Sequence, residues 1–314
     1  MIGLKILVND EIDEEAIALL RSKGLEVDVK EYSQDDLVKN IAGYDGLIVR
    51  SRSKVDRAVI EAGKNLKIIA RAGVGLDNID LETAKGRNIT VVNAPEAPSI
   101  AVCELAFALM LSISRQICFA SNKLKAGEWI KKKLLGFELH GKNLAIIGYG
   151  NIGRQVALRG KALGMNIHVY DVAEASLEKA KEAGFHTYGP SKHQLIDMLK
   201  TADIITVHVP LLAETKGLIG EKEFEYMKPG VIVINTSRGG IIDEEALLQN
   251  LNSGKVAGAG LDVYEVEPPV SGISKSLVEH PKTVCTPHIG ALTVESQRKA
   301  GMIIAEKIIS ILKP

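Results

Sequence analysis

The sequence predicts an α/β protein of two doubly wound parallel-sheet domains, one inserted into a discontinuous other. Three observations carry this reading. Short apolar runs alternate with helical patterns along most of the 314 residues, the arrangement that builds parallel sheets with helices on their faces. A strand–turn–helix–strand unit over 143–171 holds Gly148, Gly150 and Gly153 at G-x-G-x-x-G spacing, which marks a Rossmann-type nucleotide-binding unit. Prolines at 95 and 98, and again at 287, mark a crossing between domains and a return. The expected division is 1–97 with 288–314, around an insert of 98–287.

The elements follow in order. Strands are expected over 4–8, 25–29, 46–49, 66–70 and 89–92. Asp13 caps a helix over 14–23 that stops at Gly24. Further helices are expected over 35–40, over 57–62 and after the cap Asp80. Beyond the prolines, 100–125 reads as one long apolar helix ending at Gly127, a domain spine or a subunit interface. The loop 128–141 contains Trp129 and the run Lys131, Lys132, Lys133, as readily a solvated face as a binding site. After the glycine unit come helices over 177–182 and 193–199, and strands over 204–207, 231–234, 256–261 and at 284–285. A closing amphipathic helix over 294–312 returns to the first domain.

The glycine unit has a specific chemistry. Gly148 permits the tight turn off the strand, Gly150 lets backbone approach a pyrophosphate, and Gly153 lets the helix lie close to the strand. Free N–H groups at that helix start attract the anion. Asp171, ~20 residues on, can accept from ribose hydroxyls and repel a 2′-phosphate, which selects NAD over NADP. Open α/β sheets hold ligands beyond the carboxyl ends of their strands. Asp171, His208, Arg238, Asp262 and His288 all occupy such positions, which packing alone does not explain.

Bulk properties narrow the class. Formal net charge is zero and 46% of residues are apolar, which argues against a nucleic-acid binder. No apolar run approaches the ~18 residues needed to cross a membrane. The start, MIGLKILVND, lacks a signal-peptide pattern. Cys103, Cys118 and Cys285 show no disulfide or metal spacing and read as buried thiols in a reducing compartment. A cytoplasmic protein without a metal is expected.

The stretches RSRSKV (50–55), RAGVGLDNID (71–80), GYGNIG (148–153), HVPLL (208–212), NTSRGG (235–240), LDVYEVEPP (261–269) and TPHIG (286–290) together resemble the D-2-hydroxyacid dehydrogenase family over nearly the full length. The resemblance is strongest to the branch acting on D-3-phosphoglycerate. It implies NAD-dependent oxidation of that compound to 3-phosphohydroxypyruvate, a step of serine biosynthesis, by a homodimer held through the long-helix region. It implies Arg238, Glu267 and His288 as the catalytic set. Arg238 would hold the substrate carboxylate and reacting oxygen, and His288 would exchange the hydroxyl proton. Glu267 would orient the imidazole and favour its charged form. The cofactor set carried over is Gly148, Gly150, Asn151, Ile152, Gly153, Asp171, His208, Val209, Pro210, Thr236, Ser237, Arg238, Asp262, His288, Gly290 and Ala291. The substrate set is Arg50, Ser51, Arg52, Arg71, Val74, Gly75 and Arg238.

Two departures stand out. Asn151 replaces an arginine frequent in relatives. The sequence stops at Pro314 without the regulatory domain of long family members, so serine feedback through it is not expected. The other readings are a glyoxylate or hydroxypyruvate reductase with the same triad, an NAD-sensing transcriptional corepressor on the same fold, and a binding module without catalysis. The cationic turn of Arg50, Ser51 and Arg52 with Arg71 favours a phosphorylated substrate over the first. The same turn counts against the second, and the triad against the third.

Overall fold

A computed structural model describes residues 3–313; the expectation tied to Pro314 lies outside the described residues. By internal contacts the chain forms two units, residues up to Ser99 with those from Ala291 on, and 100–290. Residues 288–290 therefore group with the second unit. Their hydrogen bonds explain it: His288 is bonded to Glu267, and Ile289 and Gly290 to Asp262.

The first unit is a five-stranded parallel sheet of β1 (Lys5–Val8), β2 (Glu26–Val29), β3 (Gly46–Val49), β4 (Ile68–Arg71) and β5 (Thr90–Asn93), in the order β2-β1-β3-β4-β5. Helices start where short polar side chains satisfy free N–H groups. Asp13 accepts from Glu15 N, Asp56 from Val59 N and Asp80 from Thr83 N. The helix Val294–Leu312 lies against Glu14–Ser22, burying Ile304, Ala305 and Ile308 with Ile6 and Val8. Arg298 pairs with Glu15 at 2.7 Å along the exposed edge of that contact.

The second unit is a seven-stranded parallel sheet of β6 (Asn143–Ile147), β7 (Asn166–Tyr170), β8 (His186–Tyr188), β9 (Ile204–Val207), β10 (Val231–Asn235), β11 (Val256–Leu261) and β12 (Thr283–Cys285). Its order is β12-β11-β10-β9-β6-β7-β8. The direction of strand succession reverses between β6 and β9, the switch point where such sheets take ligands. Two buried clusters, one on each face, sandwich this sheet.

Three expectations need correcting. The helix over 100–125 is two helices, Ser99–Ser114 and Ile117–Lys125, bent by 64°. Gln116 at the break has φ +51, and the Ser114 carbonyl accepts from Phe137 N at 3.1 Å instead of continuing the helix. The amphipathic stretch after the glycines, which the sequence places over 155–163, is part of a helix that begins at Asn151, directly after Gly150 as its cap. Cys118 is exposed rather than buried. The short strand β8 and the helices Glu221–Tyr226, Glu244–Ser253 and Gly272–Glu279 have no counterpart in the sequence reading. Among the described residues no single helix is long and apolar enough to cross a membrane.

One buried group ties this fold to pH. His168 on β7 is 8% exposed, stacks on His186 at 4.8 Å and meets Tyr188 Oη at 3.1 Å. Burial first, then the charges of His186 and Lys228, push its imidazole down to about 4. The unfolded chain therefore takes up a proton first as pH falls through ~6.5. This share of stability is complete above that point and is lost as pH falls toward about 4. Between pH 6.5 and 5 the loss is about 1.6 kcal/mol, the slope rising from half of ~1.36 kcal/mol per pH unit at pH 6.5 toward its full value as the unfolded imidazole becomes fully protonated. Urea midpoints across that range should fall less steeply in His168→Gln; an unchanged slope would contradict this.

Candidate functional site

The glycine turn is built by backbone contact. Gly148 has φ +95, and a Cβ on Gly153 would lie 1.9 Å from Gly148 O. No larger residue fits at 153, so the helix Asn151–Ala162 starts directly above the turn. Space around Gly150 is open, with nothing within 4 Å of a Cβ built there. The N–H groups of Asn151 and Ile152, in the first turn of that helix, have no partner within it. Across the switch point, the backbone of His208 and the Val209 side chain close on Gly148, at 2.5 and 2.7 Å from its would-be Cβ.

Asp171 follows β7 directly. Its Oδ2 accepts from Tyr149 N at 2.6 Å, inside the glycine turn, and its Oδ1 accepts from Ala173 N at 2.8 Å. A carboxylate has about four acceptor sites, so capacity remains for a ribose diol. Asp171→Ala is expected to move the ratio of NAD to NADP catalytic efficiency toward NADP on the order of tenfold, as one close negative charge is removed. The ratio is the readout because Tyr149 N loses its acceptor as well. An unaltered protein that used both cofactors equally would overturn this role.

Two buried polar atoms at this end of the sheet lack partners, His208 Nδ1 and Thr236 Oγ1. An unsatisfied buried polar group is costly, so these atoms fit a ligand that supplies the missing bonds. His208 Nε2 is held by Thr206 Oγ1 at 2.9 Å, and burial pushes the ring down to about 3. A ring held neutral in this way suits hydrogen bonding to an uncharged amide. Pro210 follows and is exposed.

After β10, buried Asn235 folds the NTSRGG turn. Its side chain accepts from Ser237 N and donates to Arg238 O, while Ser237 Oγ donates to Val207 O at 2.6 Å. A Cβ on Gly239 would lie 1.9 Å from Tyr264 O, so this turn seats against the loop after β11 only with glycine there. Arg238 is half-buried and donates to Ser237 O at 2.7 Å.

Glu267, on that loop, accepts from Tyr264 N at 3.1 Å and from His288 Nδ1–H at 2.8 Å. Burial would raise its carboxyl. The His288 bond and charge, the Tyr264 N–H and the Arg238 charge outweigh it and hold the carboxyl below its ordinary value. The structure thus brings Arg238, Glu267 and His288 together in one unit. His288 has φ +54 and a side chain 47% exposed. With Nδ1 committed to Glu267, Nε2 is the nitrogen left for chemistry.

Asp262 has a role the sequence did not suggest. It is 1% exposed, and its Oδ1 accepts from Thr286 Oγ1 and Ile289 N while Oδ2 accepts from Gly290 N, at 2.6 to 2.8 Å. Those bonds secure the loop on both sides of His288. Ala291, named with the cofactor set, is the first residue of the other unit.

In the first unit, Arg50 and Arg71 stand at the carboxyl ends of β3 and β4, where Val49 pairs with Arg71. Arg50 Nη1 lies 3.4 Å from Glu11 O and from Gln297 Oε1, and with Gly73 and Ala291 it lines a cavity of about 30 Å³. Arg52 is turned elsewhere. Its guanidinium pairs with buried Asp10 at 3.0 Å and donates to Asn9 O. Ser51 is exposed, and Val74 and Gly75 are half-buried in the loop after β4. Residues 50–53 thus contribute one cation aimed at the strand-end cavity, not two.

Comparison with known proteins shows which family the chain resembles. The sequence model of the family described as "D-isomer specific 2-hydroxyacid dehydrogenase, NAD binding domain" matches residues 107–290. A D-3-phosphoglycerate dehydrogenase from Archaeoglobus fulgidus is 48% identical over 99% of this chain, which spans 58% of that relative's length. A hydroxypyruvate reductase from Thermotoga maritima is also 48% identical, covering 98% of both chains. Among solved structures, a glyoxylate reductase from Paecilomyes thermophila superposes with TM-score 0.85 at 32% identity, covering 100% of this chain and 96% of its own.

Proposed function

We propose, since the chain belongs to the D-isomer-specific 2-hydroxyacid dehydrogenase family and takes NAD, that it oxidises D-3-phosphoglycerate to 3-phosphohydroxypyruvate. The observation that carries the substrate is the cationic strand-end pair Arg50 and Arg71. The chemistry rests on the Arg238–Glu267–His288 group. NAD, when bound, supplies the hydride acceptor, held by the glycine turn of Gly148, Gly150 and Gly153, by Asp171 and by the strand-end loops at 208–210 and 236–238. Arg238 offers a planar fork to the substrate carboxylate. His288 Nε2 accepts the C2 hydroxyl proton, because its Nδ1–H is fixed on Glu267, and the ionised Glu267 balances the imidazolium that forms. In reduction the same proton returns to the new hydroxyl.

A phosphorylated substrate has two anionic ends, and Arg238 serves one. Arg50 and Arg71, with Ser51 as an added donor, are assigned to the phosphate; Val74 and Gly75 belong to the same set. The reading of Arg52 changes with its ion pair to Asp10. Removing it strips a buried carboxylate of its counter-ion, so it serves the site by ordering the turn that presents Arg50.

The Thermotoga relative supports a second reading, hydroxypyruvate reduction by the same group. NADH formation from D-3-phosphoglycerate beside D-glycerate, the same hydroxy acid without phosphate, separates the two. A clear phosphate preference is expected, and equal rates would favour the reductase. A homodimer is part of the proposal. Trp129 and Leu135 are 79% and 91% exposed, and Ile117, Phe119 and Leu124 are exposed beside them in sequence, apolar surface that a second copy would cover.

A further inference from the structure

We propose that Glu244 is a positioning residue for the acid–base pair, clamping both ends of the segment that carries Glu267. This rests on the dehydrogenase reading. Glu244 opens the helix Glu244–Ser253, yet it does not serve that helix's start. Asp243 performs that task by accepting from Ala246 N. Glu244 instead turns inward and is 6% exposed.

Its two oxygens go to the two ends of one stretch of chain. Oε1 accepts from Glu265 N at 2.8 Å, and Oε2 accepts from Ser274 Oγ, itself 3% exposed, at 2.5 Å. Glu267 lies between those anchors, two residues from the first. The stretch between has little packing of its own. Residues 265–268 and 270–273 are exposed, including Val266 at 56% and Val270 at 70%. Within it, Val270 N bonds Pro268 O and Glu267 Oε1 accepts from Tyr264 N. The Tyr264 bond ties the Glu267 carboxylate to a buried residue whose Oη donates to Leu261 O and Thr286 O, while the Glu244 bonds, with Gly239 seated against Tyr264, fix the backbone on either side of Glu267 and so set how its carboxylate faces His288 Nδ1.

Burial pushes the Glu244 carboxyl up, against the Ser274 and Glu265 bonds, with the Glu265 and Asp243 charges adding to the rise. An uncharged amide is therefore a tolerable replacement. Gln can accept from Glu265 N through its oxygen and donate to Ser274 Oγ through its nitrogen. Alanine can do neither.

The experiment is a double-mutant cycle on turnover. Glu244→Ala should lower kcat roughly 10- to 100-fold, the scale of a sub-ångström to 1 Å misplacement of a catalytic group, with KM and NAD affinity little changed. Glu244→Gln should restore most of the rate. On a Glu267→Gln background, Glu244→Ala should cost little more, because residues acting through one another are not additive. The same fold-loss on both backgrounds, or no loss in Glu244→Ala, overturns the proposal. If Glu244→Ala does not fold, Ser274→Ala, which removes one anchor, should show a smaller loss that also vanishes on the Glu267→Gln background; a loss that persists there overturns it too. An unaltered protein inactive on every 2-hydroxy and 2-oxo acid would instead overturn the reaction assigned above.

Discussion

His288→Ala is expected to lower kcat by roughly 10²- to 10⁴-fold, the usual contribution of a positioned acid–base group, with NAD affinity close to that of the unaltered protein. The geometry separates the two effects. Most of the cofactor set lies in the glycine turn, at Asp171 and in the loops after β9 and β10, whereas His288 contributes to it only a half-exposed ring set by Glu267 and by the Asp262-bound loop. Steady-state rates with a fluorescence titration of NAD would check it. A variant with near-normal kcat would remove His288 from the mechanism. Glu267→Gln should cost less, since an amide oxygen still accepts from Nδ1–H but does not balance the imidazolium.

Arg50→Ala is expected to lower kcat/KM for D-3-phosphoglycerate about 10- to 150-fold, the worth of one charge-assisted hydrogen bond at roughly 1.5–3 kcal/mol. D-Glycerate should lose little. Arg52→Ala forms the contrast. Asp10, 3% exposed, keeps the Ser53 hydroxyl and N–H and the Arg50 N–H but loses its cation. That variant should lose thermal stability along with activity on both substrates. Equal losses on the two substrates in Arg50→Ala would move the phosphate elsewhere.

Much of this arrangement is readable from the residues alone. Period and caps place the strands, Asp13 and Asp80 start their helices, and the strand-end positions of Asp171, His208, Arg238, Asp262 and His288 follow from sheet chemistry. What is not readable depends on partners distant in sequence. Apolar residues keep helical spacing from Ile113 to Ile117 across Ser114, Arg115 and Gln116, and the break shows only in the positive φ of Gln116 and the Phe137 N–H on Ser114 O. Arg50 and Arg52 look equivalent until the Asp10 carboxylate, far back in the chain, pairs with the guanidinium of Arg52. Asp262 reads as a cofactor contact because its three donors lie 24 to 28 residues away. Glu244 looks like an ordinary first-turn acid, since nothing local shows that its oxygens reach Glu265 and Ser274.

The most direct measurement is kcat/KM of the unaltered protein for 3-phosphohydroxypyruvate and for hydroxypyruvate, with NADH, under one set of conditions. The two differ only in the phosphate, so their ratio reads the cations assigned to it. A preference for the phosphorylated acid of at least tenfold, about one charge-assisted bond, is predicted. A ratio at or below one would contradict the account and make the chain a hydroxypyruvate reductase.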